Sequence, residues 1–154
     1  MREVKAAATS VKLVIPSEIK LVDLVHSAAE KMAEVAGFDP DEGLNVGLAV
    51  REAVINAMVH GNKLDPALDV RVIFTVNGEG LVTRVGDSGG GFDPEATPDP
   101  RTDPNLLRTS GRGLLLMRAF VDAVTFRRRD DRGMEVTLTK RIGSGGGDRE
   151  ESRA

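Results

Sequence analysis

Cysteine, tryptophan and tyrosine are absent from the 154-residue sequence, which also contains only five phenylalanines and two histidines. Without cysteine the chain cannot form disulfides, thiolate metal sites, iron–sulfur clusters or a cysteine nucleophile. The few aromatic rings predict an aliphatic core, and they argue against the base-stacking surfaces of RNA-binding and single-strand-binding domains. A histidine-rich metal site is not expected either, since His26 and His60 are the only histidines.

Long apolar runs and an excess of positive charge are also missing. No stretch approaches the roughly 20 apolar residues of a membrane span, and the N-terminal residues do not form an apolar signal region. The formal net charge of −3 does not favour binding to nucleic acid or to an anionic membrane. We therefore expect a soluble, cytoplasmic protein that binds neither nucleic acid directly nor a membrane.

The tail of the chain differs in composition from the rest. Residues 143–154 are polar and rich in glycine, and we expect this tail to be disordered. Residues 1–142 are expected to form one domain. Within that domain, residues 93–110 contain four of the seven prolines and few apolar side chains. An irregular stretch of this length is typical of a functional lid or of disorder, and we interpret it as a lid.

Strand-like and helix-like patterns alternate before the tail. A strand is predicted over residues 10–15, followed by a helix that Ser17 can cap and that ends at Gly37, a typical C-terminal stop. The sequence Asp39-Pro40-Asp41-Glu42 has the pattern of a capping box and predicts a second helix over residues 40–60.

Two hairpins and a third helix complete the pattern. Residues 69–87 alternate in polarity around a central turn, as in a β-hairpin. The third helix begins at Gly111-Arg112-Gly113 and precedes a second hairpin over residues 123–142. The order β-α-α-β-β-lid-α-β-β predicts an α+β fold, a two-layer sandwich with about three helices on one face of a mostly antiparallel mixed sheet.

Three segments carry residues that could take part in binding or catalysis. Glu52, Asn56 and His60 are spaced four residues apart on the second predicted helix, so they share one face. Taken alone, a polar stripe of this kind is usually the solvated side of an amphipathic helix. His60, like Asn62, also stands where the helix ends, a position that both residue types often occupy for structural reasons.

The other two segments are rich in glycine. Asp87 ends a predicted strand and can accept a hydrogen bond from an exocyclic amine, while the glycines that follow allow a ligand to approach the backbone. Gly111-Arg112-Gly113-Leu114 places backbone N–H groups at a helix N-terminus, which favours a phosphate. Each pattern is weak alone, and neither a P-loop nor a complete Rossmann fingerprint is present.

The order of the three segments is more specific than any one of them. Glu-x-x-x-Asn on a helix, Asp-x-Gly-x-Gly-Phe after a strand, a lid and Gly-x-Gly-Leu together resemble the N, G1 and G2 boxes of the GHKL ATPases, which have the Bergerat fold. Residues 52–62 and 134–140 look most like the anti-sigma-factor serine-protein kinases within that superfamily. The resemblance covers about residues 10–141.

The resemblance implies a role for each matching residue. Glu52 corresponds to the general base, Asn56 to the ligand of a Mg²⁺ ion that bridges the nucleotide phosphates, and Asp87 to the residue that binds the adenine amino group. Arg108 and Arg112 are candidate lid cations for the γ-phosphate. The remaining candidates for contact with ATP are Gly89, Gly91, Phe92, Gly111, Gly113, Leu114 and His60.

The last strand departs from the pattern of this family. Relatives usually begin it with Gly-Thr, the threonine supporting the adenine-binding aspartate, whereas here Met134 and Glu135 follow Gly133. Thr137 or Thr139 are the candidates to replace that threonine.

Basic residues cluster in the closing hairpin. This cluster comprises Arg127, Arg128, Arg129, Arg132, Lys140 and Arg141. It is interpreted as a solvated sheet edge, with a docking surface for an acidic partner as the alternative.

Similarity to the anti-sigma-factor kinases implies an enzyme that depends on ATP and Mg²⁺ and phosphorylates serine or threonine. Its substrate would be a STAS-domain anti-anti-sigma protein, its second partner a sigma factor, and a homodimer is an option. Two other functions stay open: a non-catalytic module whose partner-binding surface responds to nucleotide, which the departure at Met134 favours slightly, and a slow stand-alone ATPase.

Overall fold

The computed structural model describes residues 8–89, 113–129 and 132–143. The strands are β1 (Thr9–Pro16), β2 (Asp69–Asn77), β3 (Gly80–Asp87), β4 (Ala123–Arg128) and β5 (Met134–Arg141). The helices are α1 (Val22–Ala36), α2 (Pro40–Asn56) and α3 (residues 113–120), with a 3-10 turn at Ile19–Leu21 and a π turn at Ala57–Gly61. The predicted lid over 93–110 lies outside the described residues, as does the predicted disordered tail apart from Gly143.

The five strands form one sheet in the order β1-β2-β3-β5-β4, and every pairing in the described part of the chain is antiparallel. Strand β3 is central, with β2 on one side and β5 on the other. Asp87, the last residue of β3, is paired with Val70 on β2. The Asp87 carboxylate therefore lies at the end of the central strand, between β2 and β5.

One face of the sheet carries the core. Alternate side chains of β2 and β3 are almost fully buried, among them Val72, Phe74, Leu81 and Val85. Helix α1 packs against β2 and β3, helix α2 packs against β3 and β5, and Met117 of α3 belongs to the same core. The predicted two-layer α+β sandwich with three helices on one face is confirmed.

The ends of α1 and α2 test the predicted caps. The capping box of α2 is present, because the backbone N–H of Glu42 donates to Asp39 Oδ1 at 2.8 Å and that of Asp39 donates to Glu42 Oε1 at 3.2 Å. Helix α1 ends as predicted at Gly37, where φ is 102°. The prediction that Ser17 caps α1 is wrong: α1 begins after Leu21, and the Ser17 hydroxyl donates instead to the carbonyl of Leu68 at 2.7 Å.

Membrane insertion through a helix finds no support in the part of the chain that the structure describes. None of its helices is long and apolar enough to cross a bilayer.

Candidate functional site

Asp87 lies at the centre of a tight arrangement of backbone. The residue is 4% exposed, and its Oδ1 accepts hydrogen bonds from the backbone N–H groups of Gly89, at 3.0 Å, and Met134, at 3.2 Å. Its main-chain carbonyl accepts from Arg129 Nη1 at 2.8 Å. No residue in the described ranges donates to Oδ2, which is therefore the oxygen left to accept from a ligand.

Three glycines let the chain close around this carboxylate. A Cβ added to Gly61 would lie 2.2 Å from Asp87 Oδ2, and one added to Gly133 would lie 2.2 Å from the Asp87 carbonyl oxygen. A Cβ on Gly89 would lie 1.9 Å from the carbonyl oxygen of Gly61. Gly133 also has a φ of +91°, which side-chain-bearing residues rarely adopt. The close approach of these segments consequently requires glycine at each position.

The protonation of Asp87 reflects opposing influences. Burial raises the pKa of the Asp87 carboxyl above its usual range, because removal from water penalises the charged form. The N–H groups of Gly89 and Met134 and the positive charge of Arg129 lower that pKa and oppose the effect of burial. A buried carboxyl with such a shifted pKa is typical of a functional site.

Glu52 and Asn56 occupy the last turn and a half of α2 and share one helix face, as predicted. The prediction that α2 continues regularly to His60 needs correction, because α2 ends at Asn56 and the chain continues as a π turn. Within that turn the N–H of Asn62 donates to the carbonyl of Ala57 at 2.8 Å, five residues earlier. His60 thus no longer lies one regular helical turn beyond Asn56.

The described part of helix α3 begins at Gly113, against the Glu52 side chain. A Cβ added to Gly113 would lie 2.7 Å from Glu52 Oε1, so this glycine allows the helix start to approach the carboxylate closely. The structure thereby brings together two residues that are 61 positions apart in sequence and were predicted to belong to one site. Leu114, the next candidate, is half-buried and packs against the core.

The missing threonine of β5 is not replaced by another threonine. Thr137 and Thr139 alternate with the buried Val136 and Leu138, so they point to the opposite face of the sheet from Asp87. The interpretation that either threonine supports Asp87 is wrong. The Asp87 carboxylate instead accepts its hydrogen bond from the main-chain N–H of Met134, which any residue except proline could supply.

The predicted basic edge is divided between two environments. Arg127 forms an exposed ion pair with Glu135 at 2.9 Å, as expected of a solvated edge. Arg129, in contrast, donates to the Asp87 main chain, and Lys140 is buried. For Lys140 the solvated-edge interpretation is therefore wrong, because alternation along β5 places Lys140 on the same face as the buried Val136 and Leu138. Arg129, which follows β4, is half-buried and bound to the Asp87 carbonyl rather than freely solvated.

Several predicted site residues cannot be compared with the structure. Gly91, Phe92, Arg108, Gly111 and Arg112 lie outside the described residues. Conversely, sequence reasoning did not assign Gly61, Arg129 and Met134 to the site. Of these, Gly61 had a visible signal, since it directly follows the Glu52–His60 stripe.

The donor set suits a magnesium ion held jointly with phosphates better than a protein-only metal site. Among residues 8–89, 113–129 and 132–143 there is no group of three or more His, Asp or Glu side chains that could hold a metal. Magnesium commonly binds through one or two protein oxygens together with substrate phosphates and water. The amide oxygen of Asn56, half-buried one turn from Glu52, fits that role.

Comparison with known proteins gives this geometry a family. The histidine kinase-like ATPase domain matches residues 15–140, which include all five strands in part or in full and all three helices. The chain belongs to the histidine kinase-like ATPase family. Membership in a family of ATPase domains implies that the chain binds ATP.

Individual relatives of this histidine kinase-like ATPase domain share a name. The serine-protein kinase RsbW of Bacillus licheniformis is 30% identical over 148 aligned residues, covering 88% of this chain and 88% of that protein. The serine-protein kinase RsbW of Listeria monocytogenes is 28% identical over 138 residues, with 86% and 87% coverage. That of Staphylococcus aureus is 26% identical over 139 residues, with 86% coverage of both chains. The resemblance to serine-protein kinases predicted from the motifs is confirmed.

Proposed function

We propose that this protein is an ATP- and Mg²⁺-dependent serine/threonine kinase of the anti-sigma-factor type. The observation that carries the proposal is the contact between Glu52 and Gly113, because it puts a carboxylate beside the start of a helix, where backbone N–H groups favour phosphate. A candidate base and a candidate phosphate-binding element thus adjoin each other.

The proposed reaction uses the residues of this chain in three roles. The Oδ2 of Asp87 accepts a hydrogen bond from the adenine amino group and fixes the base. The Glu52 carboxylate takes the proton of the acceptor hydroxyl. As the bond between that oxygen and the γ-phosphorus forms, the bond from the γ-phosphorus to the bridging oxygen breaks and ADP leaves. Asn56 would hold the magnesium ion, which supplies charge neutralisation at the phosphates when bound.

The proposed protein partners are supported by the names of the relatives and by the motifs. We propose that the phosphate acceptor is a serine or threonine of a STAS-domain anti-anti-sigma protein and that this chain sequesters a sigma factor when that partner is phosphorylated. The shared name of the relatives, serine-protein kinase, supports a protein acceptor. Homodimerisation remains part of this proposal.

The departure in β5 no longer gives a reason to prefer the non-catalytic module. That alternative was favoured because a threonine near Asp87 is missing. The N–H of Met134 donates to the same carboxylate at 3.2 Å, which supports an Asp87 held in place without the threonine. The kinase is therefore the function that we propose first.

The test is transfer of labelled phosphate to a protein. The wild type, incubated with Mg²⁺ and γ-labelled ATP, should label a STAS-domain partner on serine or threonine. Glu52→Gln should lose the transfer, because the amide cannot take the proton. Glu34→Gln is the matched control, since Glu34 is an exposed residue of α1 whose ion pair with Lys31 contributes little, and it should keep full activity.

Two results would contradict the kinase proposal, and a third would contradict the role of Glu52. Release of free phosphate without a labelled protein would indicate a stand-alone ATPase. Binding of ATP with no transfer to any STAS-domain partner would indicate the nucleotide-responsive module. Equal transfer by Glu52→Gln and the wild type would remove Glu52 from the role of base.

A further inference from the structure

Asn62 is a fully buried polar residue to which neither the motifs nor the family description assign a role. Its exposure is 0%. Its Oδ1 accepts a hydrogen bond from the backbone N–H of Ser88 at 2.9 Å. Its Nδ2 donates to Ser17 Oγ at 2.8 Å, to the carbonyl of Asp69 at 3.0 Å, and at a longer 3.4 Å to the carbonyl of Leu68.

These contacts join the π turn to the loop that follows β3. Asn62 comes directly after Gly61, whose backbone lies against Asp87 Oδ2, and Ser88 comes directly after Asp87. Gly61, which ends the turn, and Asn62, which follows it, therefore contact Asp87, which ends β3, and Ser88, which begins the loop. A shift of Asn62 would move Ser88 and, with it, the Asp87 side chain.

The opposite side of Asp87 is held by different groups. Gly89 and Met134 donate to Oδ1, and Arg129 donates to the main-chain carbonyl. Those contacts fix one carboxylate oxygen and the carbonyl of the Asp87–Ser88 peptide unit, whereas the Asn62–Ser88 hydrogen bond holds the N–H of that same unit. Without it, the backbone N–H of Ser88 would lose its partner, and a main-chain group of this kind is normally satisfied in a folded protein.

We propose that Asn62 is a positioning residue for recognition of the base: through Ser88 it aims Asp87 Oδ2 at the exocyclic amine of an aminopurine nucleotide. This inference rests on the proposed binding of ATP. Asn62 itself does not touch the nucleotide. Its contribution should appear in the discrimination between bases rather than in phosphate binding or catalysis.

A pair of nucleotides that differ only in the amine isolates this contribution. ATP carries the exocyclic amine, and purine riboside 5′-triphosphate lacks it. The ratio of their dissociation constants, measured by calorimetric titration with Mg²⁺, reports the hydrogen bond to Asp87. For the wild type we expect a preference for ATP of about tenfold or more, because the acceptor is a charged group.

Asn62→Ala should reduce this preference to about twofold or less, because Asp87 Oδ2 would no longer be aligned to accept from the exocyclic amine. A fold that is merely less stable would weaken both nucleotides equally and leave the ratio unchanged. Ser17→Ala is the matched control, because it removes a buried partner of Asn62 and leaves the Asn62–Ser88 hydrogen bond in place. It should lower stability and keep the ratio.

A second variant, Asn62→Asp, tests whether restoring an acceptor for the Ser88 N–H rescues the ATP preference. Asn62→Asp keeps an oxygen that can accept from Ser88 N–H but loses the donors to Ser17 and Asp69. It should retain a larger ATP preference than Asn62→Ala, with circular dichroism confirming the fold of both variants. A full ATP preference in Asn62→Ala would overturn the role of Asn62. A wild type that binds neither nucleotide, or binds both equally, would instead overturn the proposed adenine site at Asp87.

Discussion

Gly61→Ala tests the packing of the π turn against the Asp87 carboxylate. The new Cβ would lie 2.2 Å from Oδ2, 2.3 Å from Cγ and 2.8 Å from Cβ of Asp87. Rotation of the carboxylate cannot relieve a contact that includes Asp87 Cβ, so backbone must move. Overpacking of this kind costs about 1–3 kcal/mol, and replacing glycine by alanine in helical backbone returns about 0.5–1 kcal/mol. With both effects near the middle of their ranges, the net loss is about 1 kcal/mol.

The assay combines thermal unfolding with titration of Mg-ATP. For a chain of this size, a loss of about 1 kcal/mol corresponds to a Tm lower by roughly 2–4 °C. Binding of ATP should weaken as well, because the methyl group occupies the space beside Oδ2. Gly78→Ala is the matched control: its added Cβ meets nothing within 4 Å, so its Tm should stay level or rise slightly. Equal Tm and equal ATP affinity in Gly61→Ala and the wild type would refute the described packing.

Three further substitutions test other parts of the structure. Asp87→Asn should be most stable relative to the wild type at neutral pH. The pKa of the Asp87 carboxyl is raised from its usual 3.8 by burial, so the wild type gains stability from protonation as pH falls through that raised pKa, and the variant does not. Urea unfolding between pH 7 and 4 measures the free energy of unfolding of the variant minus that of the wild type, which should fall toward acid pH; a difference that rises toward acid pH would contradict the reasoning. Gly113→Ala should keep or raise the Tm but lower phosphate transfer about tenfold or more, because its Cβ displaces Glu52 Oε1; single-turnover labelling that matches the wild type would reject this. Asp39→Ala should cost about 1 kcal/mol through loss of the capping box, measured by urea unfolding, and an unchanged midpoint would count against the cap.

Local sequence signals predicted much of the fold because they depend on near neighbours. The capping box at Asp39 and Glu42 and the positive φ of Gly37 follow from interactions within a few residues. The hairpin over residues 69–87 follows from alternation and a turn. Ser17 shows the limit of this reasoning: a serine before a helical pattern looks like a cap, but its hydroxyl bonds to Leu68, which is 51 residues away.

The sequence motifs were enough to choose candidate residues for the site, but they did not predict how those residues are arranged. Glu52 and Gly113 could be assigned from their motifs, and the structure brings them together. The π turn after Asn56 could not be predicted, because its extra residue is tied to tertiary contacts of Gly61 and Asn62. The hydrogen bond from Met134 N–H to Asp87 was equally hidden, since a main-chain donor leaves no mark in the residue type.

Calorimetric titration of ATP into the wild type and Asp87→Asn tests the central claim most directly, namely that the carboxylate at the end of β3 binds adenine. In the variant, the amide oxygen can keep the hydrogen bonds from Gly89 and Met134, which places the NH₂ group where Oδ2 was. The NH₂ group of the substituted side chain and the adenine amino group, both hydrogen-bond donors, would then face each other. The account predicts saturable binding to the wild type and its loss in a folded Asp87→Asn. Equal affinity of the two proteins for ATP would contradict it.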